Sequence, residues 1–481
     1  MNKNNYKWIA LSCTTIGALL SVMSGSTLMI ALPVIMKDIN AGMGIVTWVL
    51  MGYMLVLTIL VPSIGRVADM VGRKKLYVSG FAVFTVASLL CGLAHNGITL
   101  LIFRLIQGGG GSLMVANSTA IVTDAFPKKE LGKALGINTM IISVASVIGP
   151  ILGGVLVNFG WRSIFYINVP IGIVGTIWAA VQLKEVANLP EKQKFDFKGT
   201  IVFTLGMLSL LIALTMGSFS GWFNPNVIML IVASVILIAL FINIESKIKY
   251  PMLDMRLFKN RILAFAYASN FFNGIARGAV TFLLVFYFQG IKGIDPIIAG
   301  MLLTPLAISM MIVSPISGVL SDKYGSRALS SIGLATSAVG LLGFMFIKED
   351  SSMSLLITSM LIMGLGSGLF FSPNTNAIMG SVPADKRGVA AGVRTMLNNA
   401  GTVLSIALSM AIIASSVSPE AMQALFVGTQ VGAEGIAIGK FIGGLRLAFT
   451  ISFIFSLVAA LLSYLRGPQP AWDEEEEEKV A

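Results

Sequence analysis

The sequence contains few of the residues from which metal centres, disulfide frameworks and many active sites are built. Its 481 residues include one His and two Cys, and both cysteines, Cys13 and Cys91, lie inside apolar runs. This set is too small for a His/Cys metal site or a disulfide framework. No phosphate-loop motif is present, which argues against ATP-driven chemistry within the chain. We therefore expect neither a metal nor another cofactor.

Charged residues are also scarce. Asp, Glu, Lys and Arg make up 11% of the chain, against about 25% in soluble proteins. By contrast, 56% of the residues are hydrophobic and the mean hydropathy is +0.87, which does not fit a surface exposed to water. The net charge of +11 first raises nucleic acid as a partner. No basic face is interleaved with aromatic residues, however, so we expect no nucleic-acid binding.

Apolar residues are gathered in runs that are long enough to cross a bilayer. A hydrocarbon core of about 30 Å needs about 20 residues of helix, and the sequence offers that length fourteen times. We therefore predict an all-α polytopic membrane protein embedded in the lipid bilayer. The predicted spans are 8–34, 45–66, 76–95, 99–123, 134–158, 163–183, 199–218, 226–244, 262–288, 297–320, 328–347, 354–382, 388–416 and 441–465.

The positions of Lys and Arg predict the orientation of these spans. Most of them lie at the N-terminus, at the C-terminus and in the loops that follow even-numbered spans. The alternate loops hold only Lys37, Arg162, Lys292, Lys348 and Lys440. By the positive-inside rule, we expect both termini in the cytoplasm of a multi-pass protein of the cell membrane. The net positive charge then reflects membrane topology.

The chain contains an internal repeat. Gly65, Asp69 and Gly72 recur as Gly318, Asp322 and Gly325 at a constant offset of 253. A second set recurs at an offset of 256, in which Pro127, Gly132, Ala134 and Gly136 match Pro383, Gly388, Ala390 and Gly392. We infer a duplication of six spans, in which spans 1–6 match spans 9–14. Such halves are typical of transporters with a substrate site at their interface.

This repeat predicts the organisation of the chain, which we expect to be a monomer. Residues 417–440 form a long external loop, either a partly ordered cap or simple slack. The predicted units are an N-terminal six-helix bundle at 1–183, a cytoplasmic linker at 184–198, two inserted helices with their flanking loops at 199–261, a C-terminal six-helix bundle at 262–466 and an acidic cytoplasmic tail at 467–481.

Several motifs together resemble one family. The stretch Gly65–Lys75 resembles the signature loop of the major facilitator superfamily, Arg104–Gly110 its fourth-helix motif and Gly149–Gly154 its fifth-helix antiporter motif. Trp161 with Arg162 is similar to the start of helix 6 in the fourteen-helix drug:proton antiporter branch. The resemblance implies two six-helix bundles plus two inserted helices, and multidrug efflux by antiport.

For the signature loop, the resemblance implies a cytoplasmic gate. Asp69 is expected to engage the start of helix 13, and Arg73 to pair with Asp124 at the inner end of helix 4. Gly65 and Gly72 permit a tight turn. The full set expected at this gate is Gly65, Asp69, Gly72, Arg73, Asp124 and Asp322. The alternative is that the basic residues only mark the inside face.

The glycine-rich run of helix 5 is a second candidate. Gly149, Pro150, Gly153 and Gly154 give the helix a smooth, bendable face, which we expect against a helix of the other half. Resemblance to antiporters implies that this face closes a leak path. A packing groove without a role in coupling is the other interpretation.

Charges at membrane depth are costly and indicate function. Arg104 in helix 4 is expected near the cavity and the first helix. Arg277 in helix 9 is expected either to line the cavity or to join a hydrogen-bond network between helices. The complete set expected in the central cavity or in coupling is Ser24, Tyr53, Arg104, Gln107, Asn270, Asn273, Arg277, Tyr287 and Asn398.

Helix 1 departs from the drug:proton antiporter pattern. Ser24 occupies the place where that branch carries an acid, and no span has an acid at its centre. Proton coupling usually requires a carboxylate whose pKa shifts between exposed and buried states. Either Asp124 or Asp69 carries the proton at the gate, or the substrate does, or the protein is a facilitator.

Two functions are compatible with these observations. The first is an alternating-access exporter of drugs or related amphipaths driven by the proton gradient, with a small molecule and a proton as partners. The second is a transporter of an anionic or neutral metabolite or lipid-like substrate without acid-based proton coupling. Central arginines without acids favour neutral or anionic substrates over quaternary ammonium compounds. An enzyme is not expected, because no nucleophile–base pair or metal set is visible.

Overall fold

The chain forms an all-helical membrane protein. The computed structural model describes residues 3–39, 43–185, 195–248, 250–416 and 435–467. Within these ranges, fourteen helices are long and apolar enough to cross a membrane. The predicted fold class and number of spans are confirmed. Residues 186–194 of the predicted linker, 417–434 of the predicted external loop and 468–481 of the predicted tail lie outside the described residues.

The fourteen helices are numbered α1 to α14 in chain order. The first six are α1 (Lys3–Asp38), α2 (Met43–Val71), α3 (Arg73–Gly92), α4 (Gly97–Ala125), α5 (Leu131–Val157) and α6, which has two pieces, Ser163–Tyr166 and Asn168–Gln182. The next two are α7 (Phe197–Ser220) and α8 (Pro225–Glu245).

The last six helices include two that are interrupted. They are α9 (Arg261–Gly278, Val280–Phe286 and a π-helical turn at Tyr287–Ile291), α10 (Pro296–Leu302 and Thr304–Tyr324), α11 (Ser326–Met345), α12 (Met353–Gly380), α13 (Arg387–Ser416) and α14 (Gly435–Leu465).

Two equivalent glycines separate consecutive helices at the repeated loops. Gly72 lies between α2 and α3 with a φ of 114°, and Gly325 lies between α10 and α11 with a φ of 78°. A side chain at either φ would clash with the backbone, whereas glycine adopts these values freely. The matching glycines of the sequence repeat are thus explained by matching backbone turns.

The helices form two sets that meet along two seams. The N-terminal set, α1–α6, and the C-terminal set, α9–α14, repeat the same internal contacts: α2 packs on α4 as α10 packs on α12, and α1 packs on α5 as α9 packs on α13. The sets touch each other where α2 lies against α13 and where α5 lies against α10. We call these the α2/α13 seam and the α5/α10 seam.

The two inserted helices flank one seam. α7 and α8 pack against each other, and α7 also contacts α2 and α13. Apolar side chains of all three helices, including Leu55, Phe203 and Val393, share one buried cluster. The insert therefore packs against the helices of the α2/α13 seam.

Candidate functional site

The α2/α13 seam is closed near the signature loop by backbone contact and by Asp69. A Cβ atom at Gly65 would overlap the carbonyl group of Gly388, so the two helices touch main chain to main chain. The buried carboxylate of Asp69 accepts hydrogen bonds from the backbone N–H groups of Gly388 and Val389, both at 3.1 Å. These groups belong to the first turn of α13, whose N–H groups have no partner within the helix and carry partial positive charge.

Two arginines and a second carboxylate extend this contact. Arg73 donates from Nη2 to Asp69 at 2.7 Å and from Nη1 to Asp124. Arg387 at the start of α13 donates from Nη1 to the other oxygen of Asp124 at 2.9 Å. Asp124 is thus held between one arginine of each helix set. The Arg73–Asp124 pair lies where the family resemblance placed it, whereas sequence reasoning did not single out Arg387.

The α5/α10 seam has an equivalent but simpler contact. The carboxylate of Asp322 accepts from the backbone N–H groups of Gly132 at 2.7 Å and Lys133 at 3.0 Å, at the start of α5. It also accepts from Asn376 Nδ2 at 3.1 Å. The repeat offset of 253 places Ser326 where the first seam has Arg73. Asp322 therefore caps a helix of the opposite set without an equivalent arginine beside it.

The glycine run of α5 corrects a prediction. A Cβ atom at Gly149 would overlap Ser26 Oγ, and one at Gly153 would lie 2.9 Å from the carbonyl oxygen of Thr27. Gly149 and Gly153 therefore pack on α1 of the same set, and not on a helix of the other half as expected. α5 also contacts α10 of the other set, for example where a Cβ at Gly136 would lie 2.5 Å from the carbonyl oxygen of Ser314.

Four predicted cavity residues of the N-terminal set come together around Arg104. Its Nη1 donates to Ser24 Oγ at 2.9 Å and to Gln107 Oε1 at 2.5 Å, and its guanidinium carbon lies 4.4 Å from the centre of the Tyr53 ring. All four side chains are at most 3% exposed. They form a closed network inside the helix set in this structure, not the wall of an open cavity.

The network continues into α1 and α3. Gln107 Nε2 donates to Ser88 Oγ at 2.7 Å, and the Tyr53 hydroxyl shares a hydrogen bond of 2.9 Å with Ser21 Oγ. Among the described residues, Arg104 Nη2 has no hydrogen-bond partner. The polar residues of four helices therefore surround a guanidinium that keeps one buried donor unused.

Asn270 of α9 lies at the contact of this helix with α13 of the same set. Asn270 Nδ2 donates to the carbonyl oxygen of Arg394 at 2.7 Å. A Cβ at Gly274 would lie 2.6 Å from the carbonyl oxygen of Asn398, so α9 and α13 approach closely here. The Nδ2 atom of Asn273 is buried and has no partner in the described part of the chain.

Arg277 lies one turn after Asn273 on α9 and carries a guanidinium group. Its Cζ lies 5.4 Å from the centre of the Phe371 ring, and its Nη2 lies 3.9 Å from Met310 Sδ. Its Nε atom has no hydrogen-bond partner among the described residues. Arg277 is thus placed between α10 and α12 with a donor left over.

Arg394 and Tyr287 both differ from expectation. Arg394 lies about two turns inside α13, and its Nε is buried without a partner among described residues. Its sequence position does not single it out, because Arg394 closely follows the charged loop before α13. Tyr287 was expected in the central cavity, but its hydroxyl donates to the carbonyl oxygen of Lys348 at 2.6 Å. It lies ten residues beyond Arg277, about 15 Å farther along the helix.

Arg104, Arg277 and Arg394 share one electrostatic property. In the described ranges of the chain, none of Arg104, Arg277 and Arg394 forms an ion pair with an Asp or Glu. A desolvated cation without an anion is unfavourable, and membrane-depth charges normally face a partner or a functional cavity. The arrangement can therefore accept hydrogen-bond acceptors or anionic groups.

Comparison with known proteins is consistent with this architecture. A family model described as the Major Facilitator Superfamily matches residues 14–406 and 266–480. The chain belongs to the Major Facilitator Superfamily. It is a membrane-embedded transporter and not an enzyme, as expected from the sequence.

Its relatives include transporters with different named substrates. The chain is 34% identical to the riboflavin transporter RibZ of Clostridioides difficile (strain 630), over 86% of this chain and 89% of RibZ. It is 35% identical to the multidrug transporter protein MdtP of Bacillus subtilis (strain 168), over 85% of this chain and 76% of MdtP. The recognised resemblance to the multidrug-efflux type of the superfamily is confirmed.

A solved structure shares the fold. The human organic anion transporter MFSD10 superimposes with a TM-score of 0.63, covering 93% of this chain and 99% of that one at 14% identity. At this identity the likeness concerns the fold alone.

Proposed function

We propose that this protein is an alternating-access exporter of neutral or anionic amphipathic small molecules. It acts in the cell membrane with both termini and both signature loops in the cytoplasm, as the distribution of Lys and Arg favours. The N-terminal bundle, 1–183, and the C-terminal bundle, 262–466, move relative to each other, while the inserted helices at 199–261 follow the α2/α13 seam.

The observation that carries the proposal is the pair of seams near the signature loops. In both, an aspartate of one helix set accepts hydrogen bonds from the first turn of a helix in the other set. Such contacts must break for the bundles to separate on this side. Gly65, Asp69, Gly72, Arg73, Asp124 and Asp322 therefore form the cytoplasmic gate of the proposed cycle.

The substrate class rests on the central arginines. Arg104 and Arg277 each keep an unused donor, and Ser24 Oγ lies 2.9 Å from Arg104 Nη1, at the position where the drug:proton antiporter pattern has an acid. A site with positive charge and no carboxylate repels lipophilic cations and attracts anions. The names of RibZ and MdtP support an amphipathic substrate, since one relative is named for riboflavin and the other for multiple drugs.

Proton-coupled export is the second candidate, favoured by the position of Asp124. Its carboxylate accepts from Arg73 and Arg387, which lie on opposite sides of the gate. Protonation of this group would remove the charge that holds both arginines. In proton-coupled export, a proton taken up from the outside would weaken the gate in this way and leave to the cytoplasm when the gate opens.

Purified protein in proteoliposomes tests both candidates. The probes are the anionic dye ANS, neutral riboflavin and the cation ethidium, each measured with and without an imposed pH gradient. We expect transport of ANS and riboflavin and little of ethidium; transport of ethidium alone would contradict the proposed substrate class. Acceleration by the gradient in the wild type, lost in Asp124→Asn, would support the second candidate.

The helix 1 position offers a matched test of specificity. In Ser24→Asp, a carboxylate beside Arg104 would neutralise the guanidinium, so we expect ethidium transport to rise and ANS transport to fall. Ser24→Asn has a similar size without the charge and should leave the preference for ANS in place. The same ratio of ANS to ethidium transport in both variants would show that the charge at position 24 does not determine which substrate is preferred.

A further inference from the structure

Two buried carboxyl groups lie where the inserted helices begin and end. Asp196 precedes the first turn of α7, and its Oδ1 accepts from the backbone N–H of Gly199 at 2.9 Å. Glu245 is the last residue of α8, and its Oε2 accepts from the backbone N–H of Leu253 at 3.1 Å. Asp196 is 9% exposed and Glu245 is 3% exposed. Each carboxyl therefore has one oxygen held by a backbone donor.

The two remaining oxygens face each other. A Cβ atom at Gly199 would overlap Asp196 Oδ2 and lie 2.5 Å from Glu245 Oε1, so both atoms converge on one point. Both atoms are buried and have no hydrogen-bond donor among the described residues. Because carboxylate oxygens only accept, a hydrogen bond between them requires a proton on one of the two groups.

Among the described residues, no ion pair joins a Lys or Arg side chain to either carboxyl group. Asp196 is the ionisable group that acts on Glu245. The other ionisable side chains on the elements packed here are Lys198 and Lys247, which are exposed, Tyr250, Arg66 on α2, and Asp254 paired with Lys386.

Asp254, which is paired with Lys386, does not compete for the proton. Burial raises the pKa of Asp254, but the hydrogen bond from Lys386 at 2.7 Å, the backbone N–H of Arg256 and the charges of both residues together outweigh burial and hold that pKa below its usual range. Asp254 therefore stays ionised at neutral pH. Two buried carboxylates side by side, by contrast, cannot both ionise without a large cost.

We propose that Asp196 and Glu245 form a proton-binding site that holds one shared proton at neutral pH and releases it as the pH rises. Proton binding converts two carboxylates into an acid and a carboxylate, and no other atom is transferred. The single remaining negative charge is stabilised by the two backbone N–H donors and by the N-terminus of α7. The site is separate from the central arginines and from the gate carboxylates.

The donor set favours a proton over a metal ion. Calcium takes six to eight oxygen ligands, whereas this pair presents two free oxygens. Among the described residues, no group of three or more His, Cys, Asp or Glu could hold a metal ion.

Infrared difference spectroscopy of the full-length protein tests the site directly. Between about pH 6 and about pH 9, the carbonyl stretch of a protonated carboxyl should disappear with release of one proton. Glu245→Gln and Asp196→Asn should each remove that signal. The matched control is Glu349→Gln, an exposed acid between α11 and α12, which should leave it unchanged.

The wild-type spectrum decides the case if both variants fail to fold. Absence of any protonated-carboxyl signal in the wild type at about pH 7 overturns the proposal. A signal that survives in two folded variants also overturns it, as does loss of the signal on addition of calcium with binding of one ion per molecule. None of these measurements uses transport, so their failure is independent of the proposed function.

Discussion

At the scale of single residues, Asp69 and Asp322 occupy equivalent positions but have different neighbours. Asp69 also pairs with Arg73, whereas Asp322 is joined by the neutral amide of Asn376. Breaking a buried ion pair by removing one partner costs about 3–5 kcal/mol, whereas a hydrogen bond from a neutral donor to a charged group contributes about 1.5–3 kcal/mol. The Asp69–Arg73 pair lies within the N-terminal set and orients the carboxylate that caps α13, and the Arg387–Asp124 pair at 2.9 Å adds a charged contact across the α2/α13 seam.

This difference predicts unequal effects of two matched substitutions. Asp69→Asn should slow export at least about tenfold more than Asp322→Asn, since about 1.4 kcal/mol of closing free energy corresponds to tenfold in population. The measurement is the initial rate of dye transport in proteoliposomes containing equal amounts of each protein. Similar rates for the two variants would mean that the charge network does not determine closure.

The sequence indicated some of these residues and missed others for identifiable reasons. Arg104 and Arg277 can be identified from sequence because a charge inside an apolar run is energetically unfavourable at membrane depth, whichever way the side chain faces. Asp196 and Glu245 were not singled out, because charges at the ends of spans normally face water. Their burial depends on the segment after α8, which folds back so that Leu253 donates to Glu245. Sequence periodicity does not report such tertiary contacts.

At the scale of helices, the seams are formed by glycine. Gly388 on α13 contacts both the main chain of Gly65 and the Asp69 carboxylate. A methyl group there would hold α2 and α13 apart by steric overlap, and close packing leaves no adjacent space to absorb it. Small residues at helix contacts are also how membrane helices approach without a hydrophobic driving force.

Gly388→Ala should therefore shift the protein toward a state that is open on this side. Cys13 and Cys91 are buried, so a cysteine introduced as Ala68→Cys beside the seam can report access. We expect a membrane-impermeant thiol reagent to label this cysteine faster in the Gly388→Ala background. Gly443→Ala on α14, where a Cβ meets open space, is the control and should leave labelling unchanged.

At the scale of the whole molecule, the two seams are one interface used twice. α2 meets α13 as α10 meets α5, so each helix set presents the same two surfaces to the other, as in a symmetric dimer. The sequence repeat predicted that the sets correspond. It did not predict that the glycine run of α5 would pack within its own set, because a stripe of small residues does not identify its partner.

This symmetry predicts that the chain can be divided. Co-expressed fragments 1–183 and 184–481 should associate in the membrane. The reason is that the contacts of both seams, including the hydrogen bonds of Asp69 and Asp322 to backbone N–H groups, join one fragment to the other. The measurement is co-purification through a tag on one fragment, with dye transport as a second readout. Gly132→Leu in the first fragment should prevent association by overlap with Gly318; recovery in equal amount would show that the seams do not hold the halves together.

The central arginines have no carboxylate partner among the described residues, and this affects how much net charge each transport cycle moves across the membrane. If no acid in the protein carries a proton inward as an anionic substrate leaves, each cycle moves net negative charge out of the cell. Across an inside-negative membrane this movement is favoured by about 2.3 kcal/mol per elementary charge for each 100 mV. In proteoliposomes, a potassium diffusion potential that is negative on the substrate-loaded side should accelerate ANS efflux without any pH gradient. The membrane potential alone could then drive the export of anions.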